Sequence, residues 1–127
     1  MNCEWFNTIN KNRLDNQKII FLEKKDDYIK AISSQNRKFD VIVIDGKYRH
    51  QCSKNAVKSL AKGGIIILDN SDRFPKTVEV LREHNLIQVN FNGFGPINNY
   101  TWTTSIFFSR DFNFKINSPL QHIGKLG

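Results

Sequence analysis

Two runs of four consecutive apolar residues, Val41-Ile42-Val43-Ile44 and Ile65-Ile66-Ile67-Leu68, constrain this chain most, and each stops abruptly at an aspartate. Nearly all of these residues are β-branched, which stiffens χ1 and favours strand over helix. A strand with one wet face alternates polar and apolar residues. An unbroken apolar run is what a strand covered on both faces needs, so the sheet is expected to be parallel and flanked by helices. Between the runs Cys52, Ala56 and Leu60 recur at spacing four, with Val57 and Ala61 widening the stripe, and Gly63-Gly64 supplies a helix end. A right-handed crossover would make the two strands neighbours.

The flanks continue the alternation. Trp5, Ile9 and Phe6 predict a helix over 4–12, and residues 19–22, all apolar after the turn-like Asp15-Asn16, predict a strand. Asp26 or Asp27 can cap a helix reaching Ser33, with Tyr28, Ile29 and Ile32 inward. Pro75 suits the first turn of another helix, ending near Glu83, with Val78 and Leu81 facing in. Ile87, Val89 and Phe91 alternate with polar residues, as in a half-exposed strand, and a Gly- and Asn-rich loop over 92–99 leads to a last strand near 104–109. The expected fold is α/β: a doubly wound, mostly parallel sheet with a C-terminal antiparallel pair, spanning 1–112 and followed by a tail over 113–127.

In open α/β sheets ligands bind at the carboxyl ends of the strands. One run here ends in Asp45-Gly46-Lys47-Tyr48-Arg49-His50 and the other in Asp69-Asn70-Ser71-Asp72-Arg73. On neighbouring strands Asp45, Asp69 and Asn70 converge, a hard-oxygen set suited to Mg²⁺ or a similar cation. The same residues also serve as strand-end turns that cap the next helix. Arg49 and Arg73 can bind an acidic ligand or pair with a neighbouring Asp. His50 is placed to act as a general base near neutral pH, and Tyr100 and Trp102 to line an acceptor pocket.

The chain carries 19 Lys+Arg against 12 Asp+Glu, a net +7, but the excess is scattered rather than blocked, which disfavours a nucleic-acid partner without removing it. No apolar run is long enough to span a bilayer, and the first residues do not form a signal peptide. Cys3 and Cys52 make neither a disulfide framework nor a four-ligand metal site. A cytoplasmic setting is expected.

The segment Phe39-Asp40-Val41-Ile42-Val43-Ile44-Asp45-Gly46, the stretch Leu60-Ala61-Lys62-Gly63-Gly64 and then Ile66-Ile67-Leu68-Asp69-Asn70 resemble strands four and five of class I S-adenosylmethionine-dependent methyltransferases. The resemblance runs from about residue 4 to 112, and the terminal strand pair is similar to that fold's antiparallel sixth and seventh strands. It implies S-adenosylmethionine as cofactor, with Asp26, Asp45 and Gly46 near it. By similarity to the cation-dependent O-methyltransferases it implies a divalent metal at Asp45, Asp69 and Asn70, with Asp45, Arg49 and His50 as catalytic candidates. Asp45-Gly46-x-x-Arg49-x-x-Cys52 and the stretch from Gly95-Pro96 to Thr104-Ser105 resemble a bacterial branch of the fold.

The family's glycine-rich cofactor turn and its ribose-binding acid have no counterpart here. Gly93-Phe94-Gly95 follows a late strand and opens no helix. The first two strands of the fold are therefore expected to be lacking, which would leave Val41 to Ile44 with an open apolar edge suited to self-association. The expected activity is O-methyl transfer to a small-molecule acceptor, incomplete in this chain. The rivals are a catalytically inactive methyltransferase-like remnant or binding module, and a basic RNA-binding domain.

Overall fold

The computed structural model describes residues 3–95, 97 and 99–114. The tail from residue 115 onward, Pro96 and Asn98 lie outside them. Helix α1 spans Cys3–Lys11, α2 Lys25–Lys30, α3 Arg49–Ser59 and α4 Pro75–Glu83. Strand β1 spans Phe39–Ile44, β2 Leu60–Leu68, β3 Ile87–Phe94 and β4 Thr101–Phe108. Short 3-10 turns cover Ser33–Gln35 and Ser71–Arg73.

The four strands form one sheet in the order β1-β2-β4-β3. β1 and β2 are parallel, with Val41 opposite Ile65 and Ile44 opposite Leu68. β4 runs antiparallel to both neighbours, with Leu68 opposite Ser105 and Val89 opposite Ile106. The parallel pair and the antiparallel terminal pair follow the sequence expectation. The insertion of β4 between β2 and β3 brings its first residues to the carboxyl ends of β1 and β2.

The core lies on one side of the sheet. Ile42, Ile44, Ile66, Leu68 and Phe107 pack there against Ala56 of α3 and Leu81 of α4. The other side is open at β1, where Val41 is 46% and Val43 61% exposed, and at β3, where Ile87, Val89 and Phe91 are exposed. This corrects the expectation that the first apolar run is covered on both faces. α3 and α4 cover one face only, and β1 is an edge strand.

Two further expectations change. Residues 19–22 form no strand. Ile20 and Leu22 line a cavity together with Ile42 and Val43 of β1, and the segment joins no ladder of the sheet. The helix expected to run through Leu60 and Ala61 ends at Ser59, and Leu60 is already extended (φ −70°, ψ 133°) opposite Phe39. Gly63-Gly64 is a kink inside β2 rather than a helix end. Gly63 has φ +73°, and a Cβ on Gly64 would lie 2.8 Å from the Asp40 carbonyl, so the irregular register between Phe39 and Val41 needs glycine there. α2 begins at Lys25, so Asp26 and Asp27 lie in its first turn and neither side chain caps it.

Candidate functional site

β1 and β2 both deliver their carboxyl ends to the same side, and the loops that follow are tied together by one side chain. Arg49, at the start of α3, has a side chain only 10% exposed. Its Nε donates to the Gly46 carbonyl (3.0 Å) and its Nη2 to Asp45 Oδ1 (3.0 Å) and the Asp45 carbonyl (3.4 Å). Its Nη1 donates to the Asp69 carbonyl and to Asn70 Oδ1 (3.3 Å). A guanidinium has five N–H donors, and all five are used here. The ring of Phe74 lies under the group, 4.4 Å from its central carbon.

The Asp45 carboxylate, the Asn70 side-chain oxygen and the Asp69 main-chain carbonyl therefore meet on Arg49, while the Asp69 carboxylate turns to β4. Asp69 Oδ1 accepts from Thr104 Oγ1 on β4 (2.7 Å). Among the described residues no group of three His, Cys, Asp or Glu side chains could hold a metal ion. Asp45 Oδ1 and Asn70 Oδ1 face the fixed positive charge of Arg49, an arrangement that weakens their hold on a second cation.

The turn after β2 is clamped to β4 by a polar chain. Ser71 Oγ donates to the Thr103 carbonyl (3.1 Å) and lies 2.6 Å from Ser105 Oγ, and Ser105 donates to Asn90 Oδ1 (2.7 Å). Asp72 Oδ1 accepts the Thr103 N–H (3.1 Å). Asn70 itself is left-handed (φ 51°), a conformation Asn tolerates well.

Two adjoining cavities of about 270 and 290 Å³ lie between α2, residues 20–23 and the end of β1. The first is lined by Ile29, Ile32, Ile44, Asp45, Gly46 and Cys52, and the second by Phe21, Glu23, Lys47 and Tyr48. Tyr28 lines both and meets Tyr48 edge-on, ring centroids 6.1 Å apart. Tyr48 holds a left-handed φ of 55°, strain that a bulky residue carries only where its surroundings enforce it. A Cβ on Gly46 would lie 2.0 Å from the Tyr28 hydroxyl, so that tyrosine position requires glycine. Burial pushes the Cys52 thiol above its ordinary value, leaving it an uncharged wall group.

A shallower groove of about 220 Å³ on the open side of β3 and β4 is lined by Phe91, Phe94, Trp102 and Thr104. Trp102 stands edge-on to Tyr100 (6.0 Å), and the exposed Arg73 guanidinium lies over the Tyr100 ring (5.4 Å).

Not every candidate joins the cluster. His50 directs Nδ1 at the Lys76 carbonyl of α4 (3.2 Å), and Asp26 lines neither cavity under α2. Tyr28, Tyr48, Phe74 and Thr104 were not singled out as site residues by the sequence. Tyr28 was legible only as an inward helix position, and Thr104 touches Asp69 from 35 residues away.

No protein family and no curated sequence matches the chain. Among solved structures it is similar to the precorrin-6y C5,15-methyltransferase of Geobacter metallireducens GS-15, with 16% identity and a TM-score of 0.57. The match covers 85% of this chain and 64% of that one, so the chain spans less than two thirds of the neighbour's length. The likeness shows that the two chains share a fold. No helix among the described residues is long and apolar enough to cross a membrane.

Proposed function

We propose that the chain is part of an S-adenosylmethionine-dependent methyltransferase that methylates an oxygen of a small-molecule acceptor. The observation that carries this reading is the pair of adjoining cavities against the carboxyl end of β1, walled by Asp45 and Gly46 and shared by Tyr28. Ile29, Ile32 and the Tyr28 ring give apolar faces suited to a flat base, while Asp45 and Lys47 give polar groups at the rim. When bound, the cofactor supplies a methyl group on a sulfonium. Tyr28, Asp45 and Gly46 would hold the cofactor, the acceptor hydroxyl would give up its proton to Asp69 or water as it took the methyl group, and the chain's own contribution is positioning.

The acceptor fits the groove of Phe91, Phe94 and Trp102, which Thr104 joins to Asp69. Asp69 Oδ1 is taken by Thr104, and no hydrogen bond from the described residues reaches its other carboxylate oxygen, which can orient an acceptor hydroxyl. His50, turned to α4, has no part in this reading.

Calorimetric titration with S-adenosylmethionine tests it. The folded chain should bind in the micromolar range, and Tyr28→Ala should weaken binding at least tenfold. A folded chain that gives no heat, or a Tyr28→Ala variant of equal affinity, would overturn the cofactor reading.

A further inference from the structure

We infer that the Arg49 guanidinium is the built-in cation of the strand-end site, standing where a divalent metal would otherwise bridge Asp45, Asp69 and Asn70, so that the site works without a metal. The inference goes beyond the proposed methyl transfer and concerns only what holds the two loops together.

The argument rests on saturation and enclosure. Each of the five N–H groups of Arg49 meets an oxygen, and those oxygens belong to both strand-end loops: Asp45 and Gly46 after β1, Asp69 and Asn70 after β2. A metal bridging the same loops would draw on the same oxygens, Asp45 Oδ1 and Asn70 Oδ1 among them. The guanidinium is nearly buried and rests on Phe74, so it cannot swing into solvent without leaving an apolar ring uncovered. Asp45, by contrast, has a side chain 61% exposed, so water reaches the carboxylate far more freely than the cation that holds it. A dication added beside this positive charge is repelled, and Asp45 Oδ1, Asn70 Oδ1 and Asp69 Oδ1 already accept hydrogen bonds. Arg49 is thus a positioning residue. With every donor engaged it has none left for a ligand carboxylate, which was one of the roles open to it from sequence.

The test uses the whole chain without cofactor, so its failure is distinct from failure of the methyltransferase reading. Thermal unfolding is recorded with and without Mn²⁺ for the wild type, Arg49→Met, Arg49→Lys and Arg49→Met/Asp69→Asn. Arg49→Met should melt several degrees lower. Millimolar Mn²⁺ should restore part of that loss in Arg49→Met and should not raise the melting point of the wild type or the double variant. Arg49→Lys, which keeps the charge but not the fork, should fall between wild type and Arg49→Met and respond weakly to Mn²⁺. Absence of Mn²⁺ rescue in folded Arg49→Met would overturn the inference. Should Arg49→Met fail to fold, Mn²⁺ titration of the wild type by electron paramagnetic resonance decides. No binding that depends on Asp69 supports the inference, and binding abolished by Asp69→Asn overturns it.

Discussion

The Thr104 hydroxyl donates to Asp69 Oδ1 across 2.7 Å, joining the antiparallel strand β4 to the end of the parallel strand β2. With Ser71 and Asp72 bonded to the backbone of Thr103, it fixes the turn that carries Asp69 and Asn70. The inserted last strand is therefore part of the site, not only a closing piece of the sheet.

Thr104→Val keeps the shape and removes the donor. It should cost about 1.5–3 kcal/mol, the net worth of one hydrogen bond to a carboxylate at a part-buried position. Thr104→Ser should cost less than half of that. Urea unfolding of the two variants checks this, and equal losses would show that the hydroxyl contributes nothing.

Gly46→Ala puts a Cβ where the Tyr28 hydroxyl now lies. Binding of S-adenosylmethionine should fall at least tenfold as Tyr28 is pushed into the cavity. In Tyr28→Phe/Gly46→Ala the nearest ring atom is 3.3 Å from that Cβ, so calorimetry should show affinity largely recovered.

The two sides of β1 should respond oppositely to substitution. Ile44 is 5% and Val43 61% exposed, one residue apart. Ile44→Ala should cost about 2–5 kcal/mol by opening the core. Val43→Lys should change stability by no more than about 0.5 kcal/mol and should reduce aggregation, because a charge now guards a free edge. Denaturant midpoints and light scattering check the pair.

Cys3 is exposed and Cys52 half-buried with its thiol raised above the ordinary 9.0 by burial. Iodoacetamide at pH 8 should label Cys3 first. The folded chain holds the Cys52 proton more tightly than the unfolded chain. That contribution to stability is therefore whole below pH 9 and is lost as pH rises through the raised folded value. Urea midpoints should fall more steeply above pH 9 in the wild type than in Cys52→Ala.

The parallel pair and its strand-end acids were legible because unbroken β-branched runs and abrupt polar stops are local signals. Gly63-Gly64 was misread because a glycine pair marks a helix end and a strand kink alike, and only the approach of Gly64 to the Asp40 carbonyl separates them. Residues 19–22 have a strand's composition, but a strand also needs a neighbour, which composition does not record. The meeting of Asp45, Asp69 and Asn70 followed from topology. That Arg49 would spend every donor on them, over Phe74, depends on side-chain paths between distant residues, and no spacing in the sequence encodes it.

The central claim is that the cavities under α2 hold the cofactor. Amide-resolved NMR titration of the ¹⁵N-labelled chain with S-adenosylhomocysteine tests it most directly. Shifts concentrated at Tyr28, Ile29, Gly46 and Lys47 are predicted. No shifts at millimolar ligand, or shifts confined to the opposite end of β1 around Lys38 and Lys58, would contradict it.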